Sequence, residues 1–185
     1  SEGLYVSPFD GSARELIERI VNEAKEFAFI STESFTDQEI PNFFMKRKSR
    51  GVEIKILTGI KSMDFSDRIQ KMLRDLLSCD VEIRTTEEEL HAKLLITDKH
   101  LVVSSVKLNK INLGFHPVLK YWRSNTETIY VCKNKEAIAS AKKQFLQYFE
   151  SSISVETKSA KKMENALRDR FKVIYGLKLS REVKE

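Results

Sequence analysis

Cysteine is scarce in this chain. Cys79 and Cys132 stand alone, without metal-type spacing and without a second pair. That excludes a disulfide scaffold and fits a reducing, cytoplasmic setting. Long apolar runs are missing too: none approaches the ~20 residues that a membrane-spanning helix needs. The start has no basic segment followed by an apolar one, so no secretory signal is expected there. It has no initiator Met either; Ser1 comes first, as expected of a piece of a longer protein. Internal repeats and low-complexity segments are also absent.

What is present is enough for a packed core. Hydrophobic residues make up 41% of the chain and charged ones 32%, a balance that points to a soluble surface around one core. A length of 185 residues suits one domain with an appendage. The expected division is a domain over 1–150 and a basic helical tail, or a connection to a further domain, over 151–185. Net charge is +5 and the pI about 9.1, which favours polyanionic partners, nucleic acid first and an acidic membrane surface second.

Strand and helix patterns alternate through the first half. Leu4-Tyr5-Val6 reads as a short strand and Pro8 to Gly11 as a turn. Ser12 with Glu15 forms a capping-box pattern. Leu16, Ile17, Ile20 and Val21 then recur at helical spacing. Phe27 to Ile30 is a continuous apolar run, as in a strand covered on both faces. Thr36 and Glu39 predict the next helix cap, and Gly51 ends that helix. The basic end Lys46, Arg47, Lys48 and Arg50 is explained by the helix dipole, which favours cations there. Val52 to Leu57 predicts a strand, Phe65 to Leu77 a helix and Val81 to Arg84 a strand. Strands over 90–97, 100–106 and 127–132 follow, then a helix from Lys135 to Phe149 and a linker from Ser151 to Thr157. The sum is an α/β sandwich with helices flanking a central sheet. Beyond it, Ala160, Met163, Leu167, Phe171 and Ile174 recur along one side of a Lys- and Arg-rich helical pattern.

Chemistry concentrates in Leu90-His91-Ala92-Lys93-Leu94-Leu95-Ile96-Thr97-Asp98. On a strand, alternate side chains share a face, which puts the imidazole of His91 and the ammonium of Lys93 about 6–7 Å apart. That separation spans a tetrahedral phosphate. No second His-x-Lys pair occurs in the chain, so His100 and His116 are bystanders.

The His91-x-Lys93-x4-Asp98 pattern resembles the active-site motif of the phospholipase D superfamily. Ser104-Ser105-Val106-Lys107 stands where that family has Gly-Ser-x-Asn. Asn125-Thr126-Glu127 opens an apolar run as in its single-motif bacterial nucleases. The resemblance covers roughly residues 4–150 and implies a phospholipase D-like α/β sandwich with a mixed central sheet. It also implies a phosphodiesterase needing no metal or other cofactor. His91 would be the nucleophile, forming a phosphohistidine, with Lys93 holding the non-bridging oxygens. Glu127 would orient His91, Asp98 would brace the motif, and Ser105 and Asn125 would lie near the phosphate. With one motif per chain, the resemblance implies a homodimer whose shared site supplies the second histidine as general acid.

Two departures bear on activity. Ser104 replaces a glycine, and Lys107 replaces an amide with a flexible point charge. The segment from Asn109 to Ser124 carries Tyr121, Trp122 and Arg123 beside Lys110 and Lys120. Aromatics with cations at such a groove suit stacking on unpaired bases, and equally suit core packing. Three functions follow in order: a nuclease-type phosphodiesterase, a catalytically weak nucleic-acid-binding module of a larger protein, and a lipid phosphodiesterase.

Overall fold

A computed structural model describes residues 2–33, 35–59, 67–86, 90–114 and 125–155. Among the described residues, thirteen elements run in the order β1 (Gly3–Ser7), α1 (Ala13–Glu23), β2 (Phe27–Thr32), α2 (Ile40–Lys48), β3 (Glu53–Gly59), α3 (Asp67–Ser78), β4 (Glu82–Thr86), β5 (Leu94–Thr97), β6 (Leu101–Ser104), α4 (Lys110–Leu113), β7 (Glu127–Cys132), α5 (Lys135–Ser151) and β8 (Ile153–Ser154). The strands form a single mixed sheet in the order β1-β7-β6-β5-β2-β3-β4-β8. β2, β3 and β4 are parallel, and every other pairing is antiparallel. The expected α/β sandwich is the fold observed.

The sheet separates two cores because alternate strand residues point to opposite faces. Ala28 and Ile30 of β2 join Ile54, Ile56, Ile83 and Leu95 in an aliphatic core. α1, α2 and α3 cover it with Leu16, Ile17, Ile20, Phe44, Leu73 and Leu76. Phe27 and Phe29 point the other way and meet α5. There Phe29 stacks on Phe145 at 5.2 Å between centroids, and Phe145 on Phe149 at 5.5 Å. Burying one such phenyl side chain contributes about 1.5–3 kcal/mol, so α5 is anchored by three rings. The run Phe27–Ile30 in β2, apolar at every position within a strand that is buried throughout, is what two covered faces require.

Local signals account for most element ends. The Ser12 hydroxyl accepts from the Glu15 N–H at 3.1 Å and starts α1 as expected. Gly51 takes a φ of +87° just after α2, a conformation that a side chain disfavours. Elsewhere the sequence expectation gives way. Thr36 does not cap α2; Asp37 does, accepting from the N–H of Glu39 and Ile40. A carboxylate serves the exposed N–H groups of a first turn better than a hydroxyl one residue further out. Asp37 is itself buried and paired with Arg14 at 2.6 Å.

The expected strand over 90–97 begins only at Leu94, and that over 100–106 narrows to Leu101–Ser104. Residues 109–114, expected as irregular, include the short helix α4, and the linker over 151–157 includes β8, paired with β4. The run Glu87–Glu89, residues 115–124 and residues 156–185, with the tail helix expected there, lie outside the described residues. No helix among the described residues is long and apolar enough to cross a membrane.

Candidate active site

β5 lies in the middle of the sheet, between β2 and β6. The four residues before it are not hydrogen-bonded as a strand, yet they are held on both sides. The Ser31 hydroxyl of β2 donates to the Ala92 carbonyl at 2.7 Å, and the Ser104 N–H of β6 donates to the Lys93 carbonyl at 3.2 Å. Leu90, buried among Phe29, Leu57 and Phe145, anchors the start of the stretch. His91 and Lys93 therefore project from a fixed backbone although neither is in a strand.

Their side chains meet at a carboxylate that the sequence reading did not single out. Glu33, just past β2, sets Oε2 3.8 Å from Nδ1 of His91 and 3.5 Å from Nζ of Lys93. Its Oε1 is 3.3 Å from Nζ of Lys107. The imidazole is 67% exposed, whereas Lys93 and Glu33 are 15% and 18% exposed. Burial pushes the Glu33 carboxyl up, but the hydrogen bond from Lys107 and the charges of Lys107, Lys93 and His91 outweigh it. The net direction is down, so Glu33 is an anion at neutral pH. Nothing near Glu33 in sequence marks it, because its cations arrive from two segments roughly 60 and 75 residues on.

The other expected site residues divide. Glu127, at the start of β7, is buried, and its carboxylate accepts from the Ser105 hydroxyl and the Asn112 side-chain amide. Ser105 is further tied to β7 through the Thr128 N–H, 3.1 Å from its Oγ. Asn112, on α4, is thus a second participant that sequence reasoning missed; its place became visible only once α4 folded back on β7. Asn125 is exposed just ahead of β7. Trp122 and Arg123 lie outside the described residues.

Asp98 sits at the opposite end of β5 from His91. It accepts from the backbone N–H of Lys25 and Glu26 at 2.9 and 3.1 Å, pinning the β5–β6 turn to the α1–β2 turn. Burial pushes its carboxyl up, but those backbone donors hold it below the ordinary aspartate value.

Beside His91 a cavity of about 850 Å³ opens between the sheet and α5. Leu94, Leu101, Val103, Phe145 and Tyr148 wall it. One apolar wall, an imidazole and two ammonium groups next to an anion form a site able to hold a phosphate ester by its charge and its substituent separately.

Comparison with known proteins agrees with this architecture. A family model described as cardiolipin synthase, PLD-like domain, matches residues 16–150. Among solved structures, the chain is similar to Nuc, a phospholipase D family member from Salmonella typhimurium, with 19% identity over 84% of this chain and 98% of that one and a TM-score of 0.70. It is also similar to NucT from Helicobacter pylori, at 19% identity over 83% and 98% of the two chains and a TM-score of 0.63. A third likeness is to TrmBL2, an archaeal chromatin protein with a novel mode of DNA binding, at 18% identity, 83% and 55% coverage and a TM-score of 0.57. No match was found among curated proteins. At these identities the structural likenesses establish the fold; the family model covers most of the chain, and the chain belongs to the phospholipase D-like family.

Proposed function

We propose that the chain is a phosphodiesterase acting on nucleic acid without a metal ion, with His91 as nucleophile. The observation that carries this is the meeting of His91, Lys93 and Lys107 around one anion, Glu33, at 3.3–3.8 Å. Nitrogen donors that surround a carboxylate are also able to surround the non-bridging oxygens of a phosphate. With Nδ1 turned to Glu33, Nε2 attacks phosphorus, the bond to the leaving oxygen breaks, and a second imidazolium protonates that oxygen. Water then attacks the phosphohistidine, gives up a proton to the same second imidazole, and releases the product with His91 restored. Lys93 offsets charge on the phosphoryl oxygens.

The second imidazole is supplied by another copy of the chain. Supporting this, Leu4, Tyr130 and Val103 lie directly across three neighbouring strands on one face, 66%, 47% and 47% exposed. That apolar row adjoins the cavity at His91 and suits a two-fold contact. Net charge of +5 and the likeness to Nuc, NucT and TrmBL2 support nucleic acid as the phosphodiester. Tyr148, on the cavity wall and 60% exposed, is placed to stack on a base. Free thiols at Cys79 and Cys132 suit a reducing, cytoplasmic setting.

Labelled single- and double-stranded oligonucleotides, incubated with and without chelator beside a molar-mass measurement, test the proposal. Cleavage by a dimer that resists chelator and disappears in His91→Ala is expected; cleavage that survives the substitution refutes it. A second reading, a nucleic-acid-binding module without turnover, is favoured by one feature: Glu33 already stands among the cations that phosphate needs. Trapping a phosphohistidine on His91 rules that reading out.

A further inference from the structure

Most of the cavity beside His91 takes no part in the phosphate chemistry. Its floor is a row of side chains directly opposite one another across four strands: Val103 of β6, Leu94 of β5, Ser31 of β2 and Leu57 of β3. Its roof is α5, where the small side chains of Ala137 and Ala141 leave room above that floor. Ser140, Gln144 and Tyr148 follow at intervals of four, one turn apart on one face of the helix, and all three line the cavity. The Gln144 amide donates to the Ser140 hydroxyl in a long contact of 3.4 Å, and both residues are exposed. Among the described residues, the lining includes no Asp, Glu, Lys or Arg.

A phosphate drawn into such a space would lose water and meet no cation. The charged backbone of a nucleic acid therefore stays outside, at Lys93 and Lys107, and only an uncharged part of the substrate enters. A hydrocarbon chain would match the floor, but it would strip water from Gln144 and Ser140 without returning a hydrogen bond. A nucleobase satisfies both sides. Its faces stack on an aromatic ring, and its edge carries donors and acceptors that an amide can pair with. The volume of about 850 Å³ falls within the range of pockets that enclose whole small molecules, so one base fits with its sugar.

We infer that the cavity is a nucleobase subsite, in which Tyr148 stacks on the base next to the linkage held at His91 and Gln144 hydrogen-bonds that base's edge. The inference rests on the phosphate-site reading above and adds recognition of a base to that of the phosphate. Inside a duplex a base is stacked on its neighbours and paired along its edge, so it must leave the helix to enter. The subsite therefore favours unpaired nucleotides.

Binding to the full chain is read from the methyl NMR signals of Leu94, Leu101 and Val103, which line the cavity. The probes are thymidylyl-thymidine and the same dinucleotide without its bases, each carrying a single negative charge. The base-bearing probe is expected to bind about tenfold more tightly and to shift those methyl signals. Tyr148→Ala is expected to bring the two probes to one affinity, Tyr148→Phe to keep the gap because the ring remains, and Gln144→Leu to narrow it about threefold. Equal affinity for the two probes in the native chain, or a gap of full size in Tyr148→Ala or Gln144→Leu, overturns the subsite and leaves the phosphate site standing. Binding of neither probe removes the phosphate site, and the subsite with it. Monomeric dihexanoyl phosphatidylcholine shifting the same signals at a lower concentration than the dinucleotide would assign the cavity to acyl chains, which also overturns the inference.

Discussion

The two ends of β5 share one sequence motif and have opposite physical character. At the entrance, His91 and Lys93 leave the backbone just before the strand and point to a mouth where charge is only partly shielded. At the exit, Asp98 and the buried His100 are taken up with holding the turn: Asp98 accepts from Lys25 and Glu26, and Thr97 accepts from the N–H of Lys99 and His100. On the proposed reading, a single motif therefore gives reactivity to one end and rigidity to the other. The rigid end keeps the reactive end in place, since β5 is short and hydrogen-bonded on both sides to β2 and β6.

Substitutions can pull the two ends apart. The largest expected effect is at the entrance: if His91 is the nucleophile proposed, His91→Ala should lower oligonucleotide cleavage by at least about a thousandfold. Its urea midpoint should stay near native, because an imidazole this exposed packs on little. A loss of stability there would mean that the entrance is structural too.

Next comes the exit. Asp98→Ala leaves two backbone donors without their carboxylate and should lower unfolding free energy by about 2 kcal/mol in urea titration. Asp98→Asn, which keeps one acceptor oxygen, should lose roughly half of that. Acid acts on the same bonds. The folded carboxyls of Asp98, Asp37 and Glu33 lie below their ordinary values of 3.8, 3.8 and 4.5. Their contribution is therefore complete above those values and is lost as pH falls through the lower folded ones.

A smaller change is expected from Lys93→Ala, again at the entrance. Oligonucleotide affinity should fall about tenfold at low salt, and the slope of log affinity against log salt should flatten by about one. Smallest is His100. Burial pushes its imidazole below the ordinary 6.5, with Glu23 opposing and Lys133 reinforcing. The folded state thus disfavours the proton, and stability should decline as pH drops below 6.5 until the lower folded value is passed. In His100→Gln that decline should shrink, a difference of about 1–3 °C in Tm at pH 5.5.

Periodicity was a good guide wherever one element decides its own pattern. Leu16, Ile17, Ile20 and Val21 declare α1, and the unbroken apolar run of β2 declares a strand covered on both faces, because each pattern follows from backbone geometry alone. Element ends were harder to see. Asp37 reads as an ordinary loop aspartate until Arg14, 23 residues earlier, folds against it. Residues 90–93 have strand composition, yet Ser31 and Ser104 hold them by isolated contacts instead of a ladder.

The sequence by itself determined the class of fold, the His-x-Lys-x4-Asp motif with its family and the positive charge, since these depend on residue identity and short-range spacing. Only the tertiary structure decided which carboxylate stands at His91. Glu127 turned to Ser105 and Asn112, while Glu33 came to lie among His91, Lys93 and Lys107. The reason is physical: the charge around a phosphate site is summed over side chains within a few ångströms, and those neighbours are chosen by strand order in the sheet, which no local pattern encodes.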